Sequence, residues 1–175
     1  MAPKWQRCLQ QAEMMFSKGL FMTTRAISFL KKKKIPFEYL VYDHLEKGAQ
    51  FASQALNFSL EKTIKTLVID IGNRKYALVL LPGDKKASMK KIAKACSVKR
   101  VAMADAETAQ RVTGYKVGGI SPFGTQKRLP VVMENRLLKF QKVIINGGRR
   151  GVMLAMNPEA VLEASGGQTA PLCRE

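Results

Sequence analysis

Lys65-Thr66-Leu67-Val68-Ile69-Asp70-Ile71-Gly72-Asn73-Arg74-Lys75-Tyr76-Ala77-Leu78-Val79-Leu80-Leu81 is the stretch on which the fold class turns. Two apolar runs, Thr66 to Ile71 and Tyr76 to Leu81, flank Gly72-Asn73-Arg74-Lys75. The glycine and asparagine of that connection tolerate the positive φ that hairpin turns need, so the segment reads as a β-hairpin. A sheet is therefore part of the architecture, and the flanking sequence must say what covers it.

Upstream, Ala26, Ile27, Phe29 and Leu30 fall at helical spacing behind Thr24, a threonine cap, and Lys31 to Lys34 sit where the helix dipole favours cations. Pro36 closes this helix. The aromatic-rich alternation from Phe37 to Tyr42 reads as a strand, and Phe51 to Asn57 as a short helix. Downstream, Ser88 caps a basic amphipathic helix whose apolar face is Met89, Ile92, Ala93 and Cys96. Asp105 opens another helix that ends near Thr113, with Gly114 available as its cap. Leu129 to Glu134, Lys142 to Asn146 and Val152 to Met156 read as further strands of a large, mixed sheet. Asn157 and Pro158 open a last helix that Gly166 and Gly167 stop. The remaining residues to Glu175 read as a frayed tail. Strands and helices so ordered make an α+β single domain.

Composition narrows the function classes. With 175 residues, 46% of them apolar and 25% charged, the chain has the size and make-up of one folded domain. Thirty Lys and Arg against 13 Asp and Glu leave a formal charge of +17, more than solubility requires, which points to a polyanionic partner such as nucleic acid. Anionic membrane, or no such partner at all, would also be compatible with the charge. No apolar run approaches the roughly 20 residues of a membrane span. The first 22 residues lack a continuous apolar core, so a soluble, cytoplasmic protein is expected. Cys8, Cys96 and Cys173 are odd in number and widely spaced, which argues against a disulfide framework and a metal knuckle. A single histidine, His44, leaves little material for a zinc site or a Ser-His-Asp triad, and neither metal nor cofactor is expected.

Chemistry has few places to reside. Gly118-Gly119-Ile120-Ser121-Pro122-Phe123-Gly124 packs three glycines and a proline into seven residues, a bent loop whose amides could stabilise an oxyanion, or equally a tight turn. Gly147-Gly148-Arg149-Arg150-Gly151 is a second glycine-rich connection, whose arginines could contact phosphates or simply sit on a hairpin. It lacks the lysine and hydroxyl residue of a P-loop. Lys65, at a strand start, could project into a cleft or merely flank the strand; Tyr42 suits a ligand-lining aromatic, and His44 an acid or base.

In this order, Lys65-Thr66-Leu67, Met103-Ala104-Asp105, Thr113-Gly114-Tyr115, the Gly118–Gly124 loop, Lys127-Arg128-Leu129-Pro130 and the Gly147–Gly151 turn resemble the YbaK/EbsC family of aminoacyl-tRNA deacylases. That family is related to the editing domain inserted in bacterial prolyl-tRNA synthetases. The resemblance covers roughly Thr24 to Ala164. It implies a partly barrel-like mixed sheet flanked by helices, with an editing domain over 24–166, an N-terminal extension over 1–23 and a tail over 167–175. It makes Lys65 the principal functional side chain and gives Gly118 and Gly119 the ester carbonyl to hold. Tyr42, Phe51, Thr66, Ser121 and Pro122 would line the pocket, with Asn146, Gly147 and Gly148 also on the substrate.

The pattern looks most like that of the Cys-tRNA(Pro) deacylases, in which the substrate's own thiol attacks the ester and the enzyme positions and polarises. Aminoacyl-tRNA, tRNA(Pro) in particular, and prolyl-tRNA synthetase are the implied partners. Two positions depart from the pattern: Asn146 replaces a serine and Met153 an acidic residue. They keep a second reading open, a tRNA- or synthetase-binding module of the same fold without catalysis.

Overall fold

The computed structural model describes residues 23–43 and 48–175. The hairpin is its centre. β2 (Ile64–Asp70) pairs antiparallel with β3 (Tyr76–Pro82), in a register running from Ile64 opposite Pro82 to Asp70 opposite Tyr76. The connecting turn takes positive φ at Gly72 (87°), Asn73 (52°) and Arg74 (56°), and the Asp70 carboxylate accepts from the Gly72 N–H at 2.7 Å. This is the local reason for a glycine and an asparagine here.

Around the hairpin, β4 (Ala102–Met103) pairs antiparallel with β2 on one side. On the other, β3 pairs parallel with β5 (Val131–Glu134), which pairs parallel with β8 (Gln168–Ala170). A second, three-stranded sheet has β7 (Val152–Met156) between β1 (Glu38–Val41) and β6 (Val143–Asn146), all antiparallel. The sheet expected as one is thus two, joined where Thr63 bridges Ile144 in parallel at the start of β2. That seam supplies the partly barrel-like closure.

Period-two alternation assigns the faces of the hairpin. Val68, Leu78 and Leu80 turn into the larger core with Ile27 and Leu30 of α1 (Arg25–Lys32), Val112 of α4 (Ala106–Thr113) and Val161 of α5 (Pro158–Ser165). Ile69, Val79 and Leu81 face the other way, onto Ile92 of α3 (Met89–Ala95) and onto Leu172 and Cys173. Each such fully buried aliphatic side chain contributes about 1.5–3 kcal/mol. α2 (Ala49–Ala55) packs Ala52 against Tyr42, Ile144 and Met153 in a third, smaller cluster. The expected caps are in place: Thr24 Oγ1 accepts from Ile27 N–H at 3.1 Å, Asp105 Oδ1 from Thr108 N–H at 2.7 Å, and Asn157 Oδ1 from Glu159 N–H at 2.8 Å.

The C-terminal residues are not the frayed tail that the sequence suggests. β8 adds a strand to the main sheet, Leu172 and Cys173 are buried, and Ala87 bridges Cys173. Three strand residues between Gly166-Gly167 and Pro171 are too few to show a period, so only tertiary pairing reveals them. Among the described residues no helix is long and apolar enough to cross a membrane.

Candidate functional site

The seam between the two sheets holds an open cavity of about 160 Å³. The start of β2 supplies Ile64, Lys65 and Thr66; the second sheet supplies Asn146 and Met153, with Tyr42 just past β1. Gly48, Ala49 and Ala52 close one side from α2, and Val117, Gly118 and Ile120 close another from the first glycine loop.

Lys65 is the charged residue of this wall. Its ammonium donates to Gly83 O at 3.3 Å and to Lys85 O, both in the β3–α3 connection, which leaves one of its three N–H groups for a ligand. Burial pulls its pKa below the ordinary lysine value, against the charges of Cys173 and Asp84, which act to raise it. The Thr66 hydroxyl, beside it on the wall, is buried and has no hydrogen-bond partner among the described residues. A buried, unpaired hydroxyl is a ready partner for any polar atom that reaches it. Tyr42 is buried, which raises its phenol pKa, the hydrogen bond at Gly151 acting the other way. Its ring lies 6.1 Å from that of Phe51, tilted by 50°. Phe51 therefore backs the wall rather than forming it.

The two glycine loops are bound to one another. Asn146 Nδ2 donates to Gly118 O at 3.1 Å while its Oδ1 accepts from Gly148 N–H at 2.8 Å. Arg150 Nε and Nη2 both donate to Val117 O, at 3.0 and 2.8 Å. The loops touch so closely that a Cβ on Gly119 would lie 3.0 Å from Arg149 Cα. Gly118 lines the cavity with φ of 89°, and its N–H has no acceptor among the described residues.

Of the residues singled out in the sequence, Tyr42, Lys65, Thr66, Gly118 and Asn146 meet at the cavity. Phe51, Gly119, Ser121, Pro122, Gly147 and Gly148 do not line it. Gly119 is buried and donates its N–H to Lys116 O at 2.9 Å, so that amide is already engaged. Ser121 is fully buried, its hydroxyl accepting from Phe123 N–H at 3.4 Å, and Pro122 is buried beside it. Gly147 donates to Val152 O at 2.9 Å. Arg150, a phosphate contact in one sequence reading, instead fastens the loops. His44 and Cys8 lie outside the described residues, and among those described no group of three or more His, Cys, Asp and Glu could hold a metal. Sequence reasoning missed Ala49, Ala52, Ile64, Val117 and Ile120, because small apolar side chains carry no chemical signal. Met153 and Asn146, the two departures, prove to be directly opposed across β6 and β7.

A two-sheet α+β fold whose seam holds a lysine, an unpaired hydroxyl and a glycine-loop amide has the groups to polarise an ester carbonyl. Residues 46–164 match the family model described as the aminoacyl-tRNA editing domain, and the chain belongs to that family of deacylases acting on mischarged tRNA. It is 30% identical over 154 residues to a candidate Cys-tRNA(Pro)/Cys-tRNA(Cys) deacylase, EbsC, of Enterococcus faecalis, covering 85% of this chain and 92% of EbsC. It is 28% identical over 93 residues to a proline–tRNA ligase of Brachyspira hyodysenteriae, covering 53% of this chain but 16% of the ligase. A solved structure described as that of a candidate trans-editing enzyme for prolyl tRNA synthetase superposes with a TM-score of 0.79 at 20% identity, covering 100% of this chain and 99% of that one.

Proposed function

We propose that the protein clears cysteine from Cys-tRNA(Pro) in trans, in the cytoplasm, after misacylation by prolyl-tRNA synthetase. The observation that carries this reading is the shared cavity of Lys65, Thr66 and Gly118. The Lys65 ammonium and the Gly118 N–H bear on the ester carbonyl, where negative charge develops. The substrate thiol sulfur attacks that carbonyl carbon, forming a C–S bond as the ester C–O bond breaks. The thiol proton passes to the departing ribose oxygen, giving a cyclic thioester and free tRNA. Atoms and electrons balance without a redox partner, and no protein nucleophile is required. Tyr42 and Met153 shape the pocket, while Asn146 acts on the substrate through the Gly118 carbonyl it holds. The editing domain, so read, runs from 24 through the C-terminal strand and the buried Leu172 and Cys173 rather than ending at 166.

A deacylation panel of mischarged tRNAs, with and without prolyl-tRNA synthetase, tests this. Cys-tRNA(Pro) is expected to turn over fastest, and Lys65→Ala to lower the rate by about 10²-fold or more while the protein stays folded. Equal turnover by that variant would remove Lys65 from the mechanism. Binding without turnover of any member of the panel would mark a tRNA-holding module instead.

A further inference from the structure

We infer that Glu134, through the C-terminal segment at Leu172 and Cys173 that it anchors, is a positioning residue for Lys65. Glu134 ends β5 and is 1% exposed, and a carboxylate so buried must be hydrogen-bonded or it destabilises the fold. Its Oε2 accepts from the backbone N–H groups of Leu172 at 2.7 Å and Cys173 at 2.9 Å, and its Oε1 from Arg136 N–H at 3.3 Å. The segment held in this way fastens the β3–α3 connection on its other side. Ser88 N–H donates to Leu172 O at 2.8 Å, Arg174 N–H to Lys86 O at 2.8 Å, and Arg174 Nε to Ala87 O at 3.0 Å. That same connection presents the Gly83 and Lys85 carbonyls to the Lys65 ammonium.

The two carbonyls are not fixed alike. Gly83 is tied back by its N–H to Leu60 O and Thr63 O, at 3.1 and 2.7 Å, next to the start of β2. Lys85 has only its own turn, N–H to Pro82 O at 3.2 Å, and the neighbouring residues 86–88 that the C-terminal segment holds. Release of that segment frees the Lys85 carbonyl and lets the ammonium swing on its flexible stem. A displacement on the ångström scale at a group that polarises a carbonyl lowers the rate with little effect on binding.

The inference rests on the reading of Lys65 as the polarising group, and a double-mutant cycle keeps the two apart. Steady-state deacylation of Cys-tRNA(Pro) is measured for the wild type, Glu134→Gln, Lys65→Ala and the double variant, with thermal melting of each. The expected result is that Glu134→Gln lowers kcat about tenfold at unchanged KM, and lowers nothing further in the Lys65→Ala background. Equal losses in both backgrounds, or an undiminished kcat in folded Glu134→Gln, would overturn it. Full activity of Lys65→Ala would instead sink the catalytic reading of Lys65. Should Glu134→Gln not fold, Arg174→Pro removes both Arg174 bonds to the connection while leaving the Glu134 bonds in place. The same loss of kcat, confined to the Lys65 background, is expected of it, and its absence counts against the inference.

Discussion

At Lys65 the same burial acts on stability and on chemistry in opposite senses. Its folded pKa is lowered chiefly by desolvation. Below that value both folded and unfolded chains carry the proton, and the destabilisation from burying the charge is present in full. As pH rises from the folded value towards the ordinary lysine value, the unfolded chain holds more proton than the folded one. The lysine's contribution to stability therefore rises with pH in this alkaline window. Turnover that needs the ammonium falls across the same window, after spontaneous ester hydrolysis is subtracted. Burial pushes the Tyr115 phenol and the Cys173 thiol up to about 12, so the folded chain holds those protons longer and they act on stability the other way. The lysine's share is read as the denaturant midpoint of the wild type less that of Lys65→Met, which is expected to rise with pH while the catalysed rate falls. A difference that does not move with pH would mean that the lysine is not what titrates. Thr66 makes the complementary case. Its buried hydroxyl has no partner among the described residues, so Thr66→Val, nearly isosteric, is expected to raise stability by about 1 kcal/mol while lowering kcat/KM. Chemical denaturation and deacylation kinetics on the same preparation check the pair of changes.

At the scale of elements, the site depends on how closely two loops approach. Gly119 lies in ordinary backbone conformation, but a Cβ there would meet the Arg149 backbone at 3.0–3.1 Å, so Gly119→Ala is expected to push the loops apart. Such overpacking typically costs about 1–3 kcal/mol. Gly72→Ala is the contrast: open space surrounds it, yet its φ of 87° strains any side chain. Both variants should lose stability, but Gly119→Ala alone should lose turnover, because Gly72 lies in a hairpin turn that does not line the cavity. Comparing kcat at a temperature where both remain folded decides this. The same contrast explains what was legible in the chain. The hairpin, the capped helices and the glycine loops were written locally, in alternation, in Thr24, Asp105 and Asn157, and in clustered glycines. The two-residue β4, the three-residue β8 and the division into two sheets were not, since they exist only through pairing with distant strands. Lys65, Thr66 and Gly118 could be named from a pattern. The occupation of the Gly119 amide by Lys116 O, and of Arg150 by Val117 O, depends on how the loops fold back and leaves no mark in residue type.

For the whole molecule, the charge of +17 and a small cavity with a single charged wall residue divide the labour between affinity and chemistry. Phosphates neutralised by lysines and arginines release counterions, so binding of full-length tRNA weakens as salt rises, in proportion to the number of contacts. An aminoacyl group in the cavity meets one ammonium and mostly apolar walls, and its handling carries no such dependence. For about four phosphate contacts, a fourfold rise in salt is expected to lower kcat/KM on Cys-tRNA(Pro) by roughly 10²-fold, entirely through KM. A cysteinyl ester of adenosine, which has the reacting bond without the polyanion, should lose almost nothing. The exposed run Lys32, Lys33 and Lys34 at the end of α1 is one place where the contacts can be counted. Replacing these three with glutamine should flatten the salt slope by about one for each lysine that touches a phosphate, while kcat stays at the wild-type value. A lowered kcat with an unchanged slope would mean that the run supports the fold or the cavity and that the tRNA lies across another face.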